Sequence, residues 1–166
     1  MSGYVNADIN ANLPNIDLVC SLDAIPVADD TYTEIIASHC IEHVPIPTAK
    51  KALREWLRVL APGGAVRIDT PNVHRNVSLY LRDNDDWLRD YNNLTPAERE
   101  RLLLNGVPNK TLWLNFKMFS SEHLYDVHYW NADGDLLVDL CKEAGFARAE
   151  VTQTEPSLMV VATKAA

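Results

Sequence analysis

The chain is short of glycine where a nucleotide-type cofactor usually needs it. It has six glycines, and none lies between Gly3 and Gly63. The sequence therefore holds no early G-x-G loop of the kind that lets backbone close around a ligand's charged tail. Cysteine is scarce too: Cys20, Cys40 and Cys141 are odd in number and form no CxxC pair, which excludes a disulfide framework and a zinc knuckle. Cys20 and Cys141 sit among apolar residues and read as core fillers; a nucleophilic role for Cys40 is the weaker reading, because no partner residue is specified. Basic residues are outnumbered, with 15 Lys and Arg against 23 Asp and Glu and a formal net charge of −8. They are scattered, which argues against a nucleic-acid partner. No apolar run is long enough to span a bilayer. The opening MSGYVNADINAN has neither a basic nor an apolar leader region, so the expectation is a cytoplasmic protein with no membrane partner.

What is present is an ordinary globular composition over 166 residues, 47% apolar. This fits a single domain, 1–166, with a real core. Its organising stretch is Thr33–Asn72. Glu34–Ser38 (EIIAS) is nearly continuously apolar, as in a strand covered on both faces. A helix is predicted from about Thr48 to Leu60, with Ala52, Leu53, Trp56, Leu57 and Leu60 on one stripe. Pro62-Gly63-Gly64 should stop it, and Ala65–Asp69 (AVRID) is the next strand. This is a βαβ unit, and open α/β sheets bind ligands at the carboxyl ends of such strands.

Around that unit, Tyr4–Ile9 and Ile16–Leu22 read as short strands, with turns after each. Residues 72–91 form a weaker polar helix. Thr95-Pro96-Ala97-Glu98 is a strong helix start, and Gly106 is expected to end that helix. Residues 107–130 read as loop-rich and hold six of the chain's thirteen aromatics, either as a lid on a pocket or as a contact surface. Residues 73–130 are thus expected as a helical, aromatic, lid-like insertion. Asp133 or Asp135 caps a last helix ended by Gly145, and Ala147–Thr152 with Leu158–Thr163 make an antiparallel hairpin.

The pattern resembles the class I S-adenosylmethionine (SAM)-dependent methyltransferases, in particular their small predicted SAM-dependent group. Gly3–Ile9 is similar to the family's second strand with its terminal acid. Leu22–Pro26 with Asp29-Asp30 resembles its "DLxxLPFxD" segment, and Ala37–Val44 (ASHCIEHV) the motif after strand four. Leu53–Ile68 (LREWLRVLAPGGAVRI) matches the RVLxPGG turn and strand five, and His128–Phe146 the segment before the final hairpin. The resemblance implies a Rossmann-like α/β fold: a mostly parallel sheet with a C-terminal antiparallel hairpin, in family order 3-2-1-4-5-7-6. The family's first strand, first helix and glycine loop have no counterpart here, so the sequence reads as N-terminally truncated. The expected remedies are pairing of strand two with strand four, or a strand from a homo-oligomer or other partner chain.

The same resemblance implies SAM as cofactor and methyl transfer to a small-molecule or sugar acceptor. The alternative is a non-catalytic relative that acts by protein association. Asp8 is the candidate for the ribose hydroxyls, and an Asx turn into Asn10 is the equal alternative. Leu22, Asp23, Ser38 and His39 complete the expected cofactor contacts; Ser21 stands where relatives often have an acid, and Asp23 substitutes only with a register shift. His39, Glu42 and His43 are the candidate catalytic residues, with a histidine as base. His128 and Trp130 are the candidate substrate contacts; His74 and His123 are weaker ones. Read as local packing, the His39-x-x-Glu42-His43 turn binds no metal. The competing reading, a divalent ion with His128 as a further ligand, is the less favoured one.

Overall fold

The computed structural model describes residues 3–119 and 127–166. Two strands sit at its centre. β3 (Tyr32–Ser38) and β4 (Leu60–Thr70) run parallel, with Ile35 opposite Val66 and Ala37 opposite Ile68. They are joined by α1 (Ile46–Val59), which follows a short 3₁₀ turn at Ile41–His43. Helix α1 forms because its apolar residues recur every three to four positions: Ala49, Ala52, Leu53, Trp56 and Val59 are all buried. It starts earlier than its sequence suggests, at Ile46 rather than Thr48, because Pro47 falls in the first turn, where a missing N–H costs nothing.

Pro62-Gly63-Gly64 does not separate helix from strand as expected. β4 already begins at Leu60, and the triplet is an irregularity inside it: Tyr32 pairs with Leu60 but Glu34 with Ala65. Gly63 takes a φ of 74°. A side chain at Gly64 would lie 2.8 Å from the Ala61 carbonyl oxygen and 3.0 Å from that of Thr33, so only glycine allows the strands to close there.

The rest of the main sheet is antiparallel. β8 (Leu158–Thr163) pairs with β4, and β7 (Arg148–Gln153) with β8, giving the order β3-β4-β8-β7. Helix α6 (Gly134–Ala144) packs beside α1 and against the hairpin. Asp133 caps it through the Leu136 N–H at 2.8 Å, and Gly145 ends it in the left-handed conformation. Val66, Ile68, Val160, Ala162, Leu137 and Cys141 join the α1 face in one core.

Two further strands stand apart. β1 (Ala7–Asp8) and β2 (Leu18–Val19) form a parallel two-residue ladder. The expected pairing of this second family strand with the fourth is not made: β1–β2 and the four-stranded sheet are separate sheets. The break falls where the family order puts strand one. What holds this corner is side chains of α1. Trp56 Nε1 donates to the Leu22 carbonyl at 3.0 Å. Glu55 accepts from the Ile25 N–H at 2.8 Å. Arg58 donates to the carbonyls of Val27 and Ile25 and to Asp29. Tyr4 Oη donates to Glu34 of β3. Each bond ties loop to helix or strand side chain, where a ladder would tie backbone to backbone.

The segment after β4 has its own interior. The polar stretch expected as one helix is two, α2 (Val73–Leu81) and α3 (Asp86–Asn92), interrupted at 82–85. α4 (Pro96–Arg101) carries the expected Thr95/Glu98 capping box but stops before Gly106, which instead turns a small hairpin of β5 (Leu103–Leu104) and β6 (Val107–Pro108). Lys110–Phe119, expected as loop, is helix α5. Its aromatic residues hid the helix, because Trp113 is buried with Leu79, Trp87, Tyr91 and Leu102 in a second core. No helix among the described residues is long and apolar enough to cross a membrane.

Candidate active site

The site is built at the carboxyl end of β3. His39 follows the strand with a φ of 47°, a left-handed conformation that a non-glycine residue holds only when its surroundings fix it. Its N–H donates to the Asp69 carbonyl of β4 at 2.8 Å, continuing the β3–β4 ladder one step past the strand end. The chain then turns into Ile41–His43, with Ile41 fully buried. That burial swings Glu42 inward, to 1% exposure.

Glu42 is the pivot. Its Oε1 lies 3.2 Å from His39 Nδ1, whereas Oε2 is buried without a partner. A buried, unpaired carboxylate oxygen costs about 1–3 kcal/mol or more. The hydrogen bond to the Glu42 carboxylate raises the His39 pKa above the usual histidine value against the opposing effect of burial; Asp69, 3.9 Å from His39 Nε2, adds to the rise. His39 is half-exposed, so its ring has one flank on the carboxylate and another toward solvent.

A second segment closes over this turn. The Tyr129 N–H donates to the Glu42 carbonyl at 2.9 Å, and Trp130 Nε1 to the Val44 carbonyl at 2.9 Å. These bonds bring His128 against His43, with ring centroids 4.9 Å apart in an edge-on contact. His43 Nδ1 and His128 Nδ1 are both buried without partners. Burial is the main cause of a lowered His128 pKa. Helix α5 reaches the same place: Asn131 donates to the Met118 carbonyl at 2.8 Å, and the partly buried Lys117 is close enough to oppose protonation of His39.

The structure thus brings His39, Glu42, His43 and His128 together. Trp130 is at the same seam, but its ring is buried in the main core. His74 goes elsewhere, to a polar cavity with Arg75, Ser78, Arg82, Thr154 and Glu155. His123 lies outside the described residues. Sequence reasoning missed Lys117 as a neighbour of His39. Asp69 could be found from the register, since Ser38 pairs with it; Lys117 could not, because α5 was read as loop.

The expected cofactor residues lie at the same end of the strands. Asp8 closes β1, and its Oδ1 accepts from the Asn10 N–H at 2.7 Å, so the Asx turn is made. Leu22 is held through its carbonyl by Trp56. Ser21 Oγ donates to Asp23, the acid two residues further on. Ser38 ends β3. Asp8 is near enough to help raise the Cys40 pKa, although burial is the larger cause of its rise to about 12. A raised value works against Cys40 as a thiolate nucleophile.

Comparison with known proteins follows the same line. Residues 3–68 match the family model described as "Methyltransferase domain". No curated protein matches the sequence. Among solved structures, a candidate O-methyltransferase from Nostoc punctiforme PCC 73102 is similar at 16% identity and a TM-score of 0.51, over 90% of this chain and 37% of that one. PigF, in its complex with SAH, is similar at 14% identity and a TM-score of 0.51, over 90% and 36%. A SAM-dependent methyltransferase from Methanosarcina mazei is similar at 15% identity and a TM-score of 0.53, over 96% and 80%. The chain spans little more than a third of the first two proteins. At these identities the likeness is one of fold.

Proposed function

For a chain that is a class I SAM-dependent methyltransferase in fold, we propose that it transfers the methyl group of SAM to a hydroxyl or amine of a small-molecule or sugar acceptor. The observation that carries the reading is the His39–Glu42 pair at the carboxyl end of β3, beside the break between the two sheets. Methyl transfer is an in-line displacement: the acceptor's lone pair forms the new bond to the methyl carbon as the carbon–sulfur bond breaks. The protein must align the two reactants and take the acceptor's proton.

In this reading Asp8, at the end of β1, holds the ribose hydroxyls with the carboxylate oxygen opposite its Asx-turn bond. The Leu22–Asp23 turn and Ser38–His39 border the rest of the cofactor. His39 takes the acceptor's proton, and Glu42 fixes which ring nitrogen faces it by holding Nδ1 at 3.2 Å. His128 borders the acceptor.

Isothermal titration with SAM and S-adenosylhomocysteine tests the reading. Binding of either, weakened about tenfold or more in Asp8→Asn, supports it. No heat with either ligand at millimolar concentration overturns it.

A further inference from the structure

The proposed chemistry uses only one side of Glu42. Three potential ligands also converge here: one donor atom each from Glu42, His43 and His128 lie within 4.8 Å of one another. Glu42 is 1% exposed, and its Oε2 is buried without a hydrogen-bond partner; so are Nδ1 of His43 and Nδ1 of His128. Three unpartnered polar groups rarely share one interior, and an electrophile shared by all three would resolve them together. We propose that Glu42, His43 and His128 bind a divalent transition-metal ion of the zinc class. This departs from the sequence expectation, which favoured local packing over a metal; its less favoured metal reading counted His39 among the possible ligands. His39 is not in the cluster; it holds the outer oxygen of Glu42.

The donor set selects the ion. Two imidazoles and one carboxylate suit zinc, cobalt or nickel, whereas magnesium and calcium prefer all-oxygen shells. Three protein ligands leave a fourth position open, as in sites that take a water or a substrate oxygen. Donors on one tetrahedral zinc, at about 2.1 Å from it, are about 3.4 Å apart. The cluster must therefore contract by at most about 1.4 Å, which rotation of the two rings can supply. The frame is fixed on both sides: Tyr129 N–H to the Glu42 carbonyl and Trp130 Nε1 to the Val44 carbonyl clamp the two segments that carry the ligands. Glu42 also has an outer support in His39, the arrangement that orients metal-binding groups generally. The inference rests on the same site as the proposed methyl transfer but needs no SAM.

The test is metal binding to the full chain, freed of metal by chelator and dialysis. Cobalt(II) titration should give one equivalent with visible absorption bands of a four- or five-coordinate ion, bleached by stoichiometric zinc. Magnesium at millimolar concentration should not compete. Glu42→Gln and His128→Ala should each weaken zinc binding at least tenfold, while His74→Ala, outside the cluster, leaves it unchanged; circular dichroism of each variant checks folding. A chain that binds zinc no tighter than about 100 µM, or equally well in all three variants, overturns the proposal. If Glu42→Gln and His128→Ala both fail to fold, the cobalt spectrum of the unaltered chain decides: a six-coordinate, aqua-like spectrum overturns it as well. S-adenosylhomocysteine titration of the metal-free protein is a separate readout, so the two readings fail separately.

Discussion

The two cores of this molecule are built on different principles. The main core lies between a four-stranded sheet and helices α1 and α6, and its strands are registered by backbone ladders. The second core, between α2 and α5, has among the described residues no sheet beyond a two-residue hairpin and is centred on three large rings: Trp87, Tyr91 and Trp113. Polar links join them at the seam. Asn72 donates to the Thr154 carbonyl at 2.9 Å, and Arg75 bridges Asp90 of α3 and Glu155 of the hairpin turn. The candidate active site straddles that seam, with His39, Glu42 and His43 on the sheet side and Lys117 approaching from the helical side. A ladder fixes backbone position residue by residue. A ring cluster fixes volume and leaves small rotations open. The sheet side is therefore suited to holding the reacting groups and the helical side to admitting an acceptor.

The comparison breaks most visibly at the two buried tryptophans. Trp56→Ala removes a 2%-exposed ring from the main core and the bond to Leu22. It should cost about 3–5 kcal/mol, with loss of the whole fold in a single denaturant transition. Trp113→Ala removes a fully buried ring from the second core and carries a similar gross cost, about 3–4 kcal/mol. Its effect should be confined. Hydrogen exchange should accelerate in α2, α3 and α5 while the amides of β4 and β8 stay protected. If β4 and β8 lose protection to the same degree, the cores are one cooperative unit and the contrast fails.

This difference also explains what could be read from the sequence. The βαβ unit was legible because α1 has a clean apolar stripe that comes from burial against the sheet; β3 reads as apolar too, but it is an edge strand with Ile36 50% exposed and is not covered on both faces as expected. The caps at Thr95, Asp133 and Gly145 were legible because capping chemistry is local. The helix α5 was not: its residues KTLWLNFKMF carry apolar side chains on several faces, since they pack among helices rather than on a sheet, and periodicity then gives no single stripe. The irregularity at Pro62–Gly64 was missed because a tight approach of Gly64 to Thr33 is a tertiary fact. At the site, the Glu42–His43 turn was visible as a motif. That His128 would meet it depended on Tyr129 and Trp130 clamping a segment far away in the chain.

A milder probe separates the cores by charge. Arg75 and Asp90 form a two-pronged pair, at 2.5 and 2.8 Å, with each side chain 14% exposed. The Arg75 guanidinium holds the Asp90 carboxyl below the usual carboxylate range. Since the folded-state value is depressed, the pair's stabilisation is fully present above the unfolded carboxylate value, about 3.9, and is lost as pH falls through the folded value. Asp90→Asn should cost about 1–2 kcal/mol at neutral pH. The gap between variant and parent, measured by urea unfolding, should be flat from pH 7 down to about pH 4.5 and shrink below about pH 4. A gap that narrows instead between pH 8 and 6 would assign the effect to some other group.

The smallest effect tests whether the second core depends on its local helix signals. Thr95 accepts the Glu98 N–H at 3.3 Å, and the Glu98 carboxylate accepts the Thr95 N–H at 2.6 Å. No residue of α4 itself is buried, so the helix has little tertiary packing to fall back on. Thr95→Ala should cost about 1 kcal/mol. Asp133→Ala removes a cap of the same kind from α6, whose Leu137, Leu140 and Cys141 are buried in the main core. Cap for cap, the global losses should be comparable. The local response should differ: α4 should fray, with faster amide exchange from Pro96 to Arg101, whereas α6 should keep its interior amides protected because its packed face holds the helix without the cap. Equal fraying in both variants would mean that the sheet-side core confers no more local order than the ring cluster does.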